Sequence, residues 1–243
     1  MMLPLFIWTG KSTWTPPITW LIAYWKFANW ADTTEYTWTY NLTKTWTPTI
    51  WTDRLWNSAW FSWFSTANYF SHPTFLDAWL TARTCFVWFK ATGTTRQFMI
   101  DKESSWLSYP FELLTDSNWK ITLYLTTVYW INVYQSTSTV NSWNWVFAVI
   151  SWDSSWRASI SMNINWWSAE WSLTNSSWTN SWAIVADTSK DFNIWNRWDN
   201  TEAYINWSIW EVWFCNRVLT TAEKLRLYTD SASQYIVPNI LTT

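Results

Sequence analysis

The chain has 243 residues, a formal net charge of −2 and 13% charged residues. It shows no basic run, which argues against duplex nucleic acid or an anionic membrane surface as a partner. No apolar stretch approaches the ~18 residues that span a bilayer, so membrane insertion is not expected.

In chain order, residues 1–18 are rich in Thr, Ser and Pro and read as a linker or disordered lead-in. Met1–Ile7 is apolar but lacks a basic flank and a cleavage site, so it makes a poor signal peptide. From Thr19, short β-prone runs alternate with turn clusters. Leu21–Phe27 opens the series, and Ala82–Ala91 is strongly β-prone. Phe111–Leu114 and Lys120–Leu125 flank Asp116-Ser117-Asn118-Trp119 as a hairpin. Trp145–Trp152 is nearly all apolar, as a strand covered on both faces requires, and Arg157–Asn163 alternates like a half-buried strand. Only one helix is predicted. It starts at the capping box Thr220-Thr221-Ala222-Glu223 and runs to about Thr229. The expectation is one all-β domain over 19–230, a two-sheet antiparallel sandwich closed by a short C-terminal helix, with 231–243 as a tail.

Composition departs from any ordinary globular chain in one respect. There are 30 tryptophans and 2 glycines, where glycine ordinarily makes up about 7% of residues. Trp also follows Asn at Asn29-Trp30, Asn118-Trp119, Asn165-Trp166 and Asn206-Trp207. In such dipeptides a tight turn wants glycine, because the position needs φ > 0. Most of these tryptophans therefore read as glycine positions. Translating UGA as Trp in a gene whose lineage reads it as glycine would produce this pattern, and Gly10 and Gly93 would come from ordinary codons.

Catalytic signatures are weak. The single histidine, His72, precedes Pro73 and reads as an ordinary surface loop residue. One His and two distant cysteines offer no zinc cluster. Gly10-Lys11-Ser12 lacks the first glycine of a phosphate loop. Asp101-Lys102-Glu103 comes nearest to a glycosidase carboxylate set, but a third acid is missing and a solvated strand end is expected. Cys85 and Cys215 can pair only if their strands are neighbours, so a bridge and two free thiols both stay open.

Phe192–Trp195, Tyr204–Val212 and Asn216–Glu223, with glycine written for Trp, resemble the C-terminal signature of laminin-G-like, concanavalin A-like jelly-roll domains. Leu21–Phe27, Ser58–Trp63 and Phe86–Phe89 are similar to that family's earlier strands, and together these segments cover about residues 20–230. The resemblance separates Trp25, Trp88, Trp145 and Trp152, which sit where aromatics belong, from Trp51, Trp56, Trp60, Trp63, Trp195 and Trp207, which fall at glycine or turn positions. It implies a non-catalytic carbohydrate-binding (lectin-type) or adhesion module of a cell-surface, secreted or virion protein, with a glycan or surface protein as partner. A purely structural phage or surface domain is the alternative, and an endo-glycosidase of this fold is disfavoured. Candidate sugar loops are Asn29–Tyr36, Tyr129–Tyr134 and Asn196–Tyr204. No catalytic residue is assigned, and ligand and metal residues stay unassigned. Calcium is a possible cofactor by resemblance, with Asn29, Asp32 and Glu211 as oxygen donors, although Trp210 stands where the family has Asp. A glycine at Trp198 would create Arg-Gly-Asp with Arg197 and Asp199, which reads as chance.

Overall fold

The computed structural model describes residues 21–27, 39–44, 49–52, 58–61, 69–77, 82–91, 96–102, 111–126, 131–140, 144–153, 160–165, 190–194 and 207–232. They form two antiparallel sheets packed face to face and one helix. The first sheet contains β1 (Leu21–Lys26), β3 (Thr49–Thr52), β4 (Ser58–Phe61), β6 (Ala82–Ala91), β11 (Trp145–Asp153), β12 (Ser161–Ile164) and β14 (Trp207–Cys215). Its order is β12-β11-β6-β14-β4-β3, with β1 also paired to β14. The second sheet contains β2 (Thr43–Lys44), β5 (Phe70–His72), β7 (Gln97–Lys102), β8 (Phe111–Thr115), β9 (Lys120–Thr126), β10 (Ile131–Thr139) and β13 (Phe192–Ile194). Its order is β10-β9-β8-β7-β13-β5-β2.

Alternation along each strand divides the side chains between two cores. On β6, Cys85, Val87, Phe89 and Ala91 enter the inter-sheet core, while Phe86 and Trp88 join a smaller cluster on the outer face. On β11, Val146, Ala148, Ile150 and Trp152 point inward and Phe147 and Val149 outward. Both faces are covered, which is why Cys85–Phe89 and Trp145–Ile150 are continuous apolar runs within these strands. Phe75 fills the centre of the aromatic packing, with ring centroids 4.7 Å from Phe192, 5.0 Å from Trp25 and 5.1 Å from Phe214. Burying each such ring contributes about 1.5–3 kcal/mol.

Helix α1 (Thr221–Ala232) covers the outer cluster. Its capping box forms as the sequence predicts: the Thr220 amide donates to Glu223 Oε2 at 2.7 Å and the Glu223 amide donates to Thr220 Oγ1 at 3.3 Å. Thr84 ties this helix start to the sheet, because its Oγ1 donates to the Arg217 carbonyl (2.9 Å) and accepts from the Leu219 amide (3.0 Å). That hydroxyl has spent its one proton, so Ser151 is the donor in the 2.9 Å Thr84–Ser151 contact. Lys224 is buried and donates to Ser161 Oγ at 2.6 Å, with its ammonium pushed down to about 8 by desolvation. Tyr228 stacks on Trp88 with centroids 5.8 Å apart. The helix ends at Ala232, beyond the expected Thr229.

The hairpin between β8 and β9 has a three-residue loop. The Trp119 amide donates to the Asp116 carbonyl (3.1 Å) and the Asp116 amide donates to the Lys120 carbonyl (3.0 Å). Trp119 has φ 65°, the left-handed position that such loops reserve for glycine. Asn165, which ends β12, also turns with a positive φ, of 45°.

Some expectations are corrected. Trp51 and Trp60 lie in paired strands, opposite Ala59 and Ile50, and Trp207 opens β14 opposite Ala91. None of the three is a turn residue, since ladder pairing holds them extended. Trp56, Trp63 and Trp195 lie outside the described residues, as does the lead-in 1–18; of the expected tail 231–243, residues 231 and 232 belong to α1 and the rest lies outside the described residues. The strand expected over Arg157–Asn163 is Ser161–Ile164, with 154–159 outside the described residues.

Candidate functional site

Seven residues stand directly opposite one another across the second sheet, on the face turned away from the core. The register runs Thr43–Ser71–Asn193–Asp101–Glu112–Tyr124–Val133. Neighbours in such a row have Cβ atoms about 4.5–5.5 Å apart. The flanking residues Phe70, Phe192, Ile194, Ile100, Phe111, Leu113, Leu123 and Leu125 all face inward, so the alternation places polar side chains outward. The row is exposed at Thr43, half-open at Tyr124 and Val133, and closed in its middle, where Asp101 and Glu112 are 0% exposed and Asn193 is 4%.

Arg96, immediately before β7, organises the open end. Its Nη2 donates to Glu112 Oε1 at 2.9 Å, and its guanidinium lies 4.9 Å from the Phe98 ring centroid and 5.4 Å from that of Tyr124. The Arg96 side chain keeps 37% of its surface open. A half-open tyrosine ring and a partly exposed guanidinium thus lie side by side, with the buried Glu112 carboxylate behind them, offering an apolar surface together with N–H donors. Asn193 Oδ1, deeper in the row, has no hydrogen-bond partner among the described residues.

The expected acid pair is placed differently from the sequence reading. Asp101 is not a solvated strand end but a fully buried one, and Glu103 lies outside the described residues. Lys102 points to the opposite side of β7, where its buried Nζ donates to Asp77 Oδ1 at 2.6 Å and to the Lys190 carbonyl at 2.5 Å. The carboxyl nearest Asp101 in register comes instead from Glu112 on β8. Retaining glycoside hydrolysis also uses two carboxyls, held about 5–5.5 Å apart. Here Arg96 pairs with Glu112, and both Asp101 and Glu112 are fully buried.

His72 is also corrected. It ends β5 rather than lying in a loop, and its half-buried ring accepts hydrogen bonds at Nδ1 from the Thr74 and Phe75 amides. Residues 131–134 of the stretch Tyr129–Tyr134 belong to β10, and Tyr134 is buried in the core. Asn29–Tyr36 and Asn196–Tyr204 lie outside the described residues, as does Arg197–Asp199. Glu211 is fully buried on the outer face of the first sheet, opposite Trp88, and accepts from the Tyr24 hydroxyl at 3.1 Å. Calcium takes 6–8 oxygen ligands. Of the three expected oxygen donors only Glu211 is described, and Asn29 and Asp32 lie outside the described residues. No group of three or more His, Cys, Asp or Glu suited to a metal occurs among the described residues.

Glu112, Arg96 and Tyr124 escaped the sequence reading. The apolar–polar–apolar alternation Phe111-Glu112-Leu113 was the available signal, since it sends Glu112 to the face opposite Phe111 and Leu113.

No family model and no curated protein sequence matches the chain. Solved structures do. Domain 4 of AbnA, an extracellular GH43 arabinanase of Geobacillus stearothermophilus, in complex with arabinotriose, is 16% identical with a TM-score of 0.61 over 84% of this chain and 95% of that one. The binding domain of botulinum neurotoxin serotype G is 14% identical with a TM-score of 0.62, over 88% of this chain and 51% of that one. Trypanosoma rangeli sialidase is 9% identical with a TM-score of 0.60, over 91% of this chain and 34% of that one. The chain therefore spans about a third of the sialidase and about half of the toxin domain. At these identities what is shared is the fold, and this chain is an all-β, two-sheet antiparallel jelly-roll sandwich with one short helix.

Proposed function

We propose that the chain is a non-catalytic carbohydrate-binding module of a cell-surface, secreted or virion protein, and that it holds sugar on the outward face of its second sheet. The observation that carries this reading is the Tyr124–Arg96–Glu112 cluster at the open end of a polar row. A sugar offers apolar C–H patches and paired hydroxyls. The half-open tyrosine meets the first, and the guanidinium rim meets the second. The arabinotriose complex of the AbnA domain lends support through the shared fold, which by itself is a weak warrant for function.

A glycan array followed by calorimetry tests the reading. Binding of at least one neutral oligosaccharide, weakened tenfold or more by Tyr124→Ala with the fold intact, supports it. Absence of binding to any glycan, with or without calcium, favours the second reading, a purely structural surface or phage domain. The full burial of Asp101 and Glu112 is the observation on that side.

We also infer that Trp119 stands for a glycine encoded by UGA. Its φ of 65° supports this, because a left-handed conformation costs a bulky residue about 1–2 kcal/mol. A UGG codon at that position would overturn it.

A further inference from the structure

We propose that His72 is an acid-released clasp: neutral, it closes the turn over residues 73–77, and protonation at Nδ1 opens it. His72 Nδ1 lies 3.2 Å from the Thr74 amide nitrogen and 3.1 Å from that of Phe75. Both of these groups are donors, so Nδ1 is the unprotonated nitrogen and the ring proton sits on Nε2. A proton arriving at Nδ1 has no acceptor there. It removes two hydrogen bonds at once and sets an N–H against two others.

The turn is more than a surface loop. It inserts Phe75 into the aromatic centre of the core, 1% exposed, and it supplies Asp77 to the buried Lys102. The charged groups facing the imidazole are Asp77 in the turn itself, Lys102 from β7 and Asp191 ahead of β13. The Tyr40 ring packs edge-on at 5.4 Å. Burial is the strongest influence and pulls the imidazole below its ordinary value; Asp77 opposes this, Lys102 adds to it and Asp191 opposes it. The direction agrees with the geometry, since the closed turn holds the neutral ring.

With a folded value below the unfolded one, the open form binds the proton more readily. The clasp is fully closed above about pH 6.5 and loosens as pH falls through the lower, closed-state value. In that window the opening constant rises by up to about tenfold per pH unit.

Amide hydrogen exchange on the intact chain between pH 7.5 and 5.5, corrected for intrinsic rates, tests the clasp. The opening constants at the Thr74 and Phe75 amides should rise with acid, while those of Val149 and Ile150 in β11 stay flat. In His72→Asn, whose amide oxygen can accept but does not titrate, the slope at Thr74 and Phe75 should vanish. Flat wild-type exchange overturns the proposal, as does an unchanged slope in the variant. Should the variant not fold, the imidazole resonances of the wild-type chain, which has 1 histidine, decide alone: a midpoint below about 6.5 supports the clasp and one at or above it overturns it.

Discussion

Cys215 lies one residue out of register with Cys85: on the paired strands β14 and β6, Phe214 faces Cys85 and Cys215 faces Thr84. Adjacent positions on a strand project to opposite faces. The Cys85 thiol therefore enters the inter-sheet core, and the Cys215 thiol lies in the aromatic cluster beneath α1. The strands are neighbours, as a bridge would demand, yet the side chains diverge. Both cysteines are free and buried, and desolvation pushes both thiols up. Thiol titration of the folded chain should find no reactive group, and titration in denaturant should find both. A Cys85–Cys215 peptide after air oxidation of folded protein would contradict the register.

Trp119→Gly should stabilise the chain. The native φ of 65° becomes unstrained, and the gain is about 1 kcal/mol after the lost contacts of a half-buried ring are set against the relief. Urea denaturation of the two proteins measures it. Trp152→Gly provides the contrast, since that ring is 1% exposed and its centroid lies 5.0 Å from that of Phe111; a loss of about 3–5 kcal/mol is expected.

The start of α1 should weaken in acid. Glu223 is held down to about 2, first by its hydrogen bond from Arg217, against the opposing effect of desolvation, and then by the Thr220 amide and hydroxyl. A carboxyl depressed in the folded state contributes stability above its ordinary value near about 4.3, and that contribution disappears as pH falls towards the folded value. Glu223→Gln should thus lower the urea midpoint at pH 6 by the equivalent of about 1 kcal/mol. The gap between variant and wild type should close by about pH 2. A gap constant across that range would show that the charge of Glu223 is not what holds the helix start.

Arg96→Met should destabilise the fold by about 1–3 kcal/mol, because it leaves the buried Glu112 carboxylate without its guanidinium. The figure sits below that of a fully enclosed pair, since the Arg96 side chain is 37% open and water screens it. Adding Glu112→Leu should restore most of the loss. Thermal unfolding of the single and double variants reads out the difference.

Much of this architecture was legible because some signals are local. Thr220 and Glu223 lie three residues apart and satisfy each other wherever the chain goes. Asp116–Trp119 carries its own turn chemistry, β6 shows its strand character by composition, and β11 shows its double-sided burial the same way. The polar row was hidden because it is a matter of register. Asp101 and Glu112 meet only because β7 slips by a bulge between Phe98 and Ile100 before pairing with β8. Asn193 joins them from far along the chain through β13, a strand of 3 residues and too short to show a period. The glycine logic also reached too far. A positive φ occurs at Trp119, as a turn glycine would have, while Trp51 and Trp60 lie in paired strands and not in turns.

Shortening the chain at Leu219 would leave every strand and ladder among the described residues in place. It would also uncover Tyr24, Phe86, Trp88, Phe147 and Trp213 together on one flat surface. Contiguous aromatic area of that kind drives molecules onto one another. A shortened version should therefore retain its β signature by circular dichroism while precipitating at concentrations the full chain tolerates.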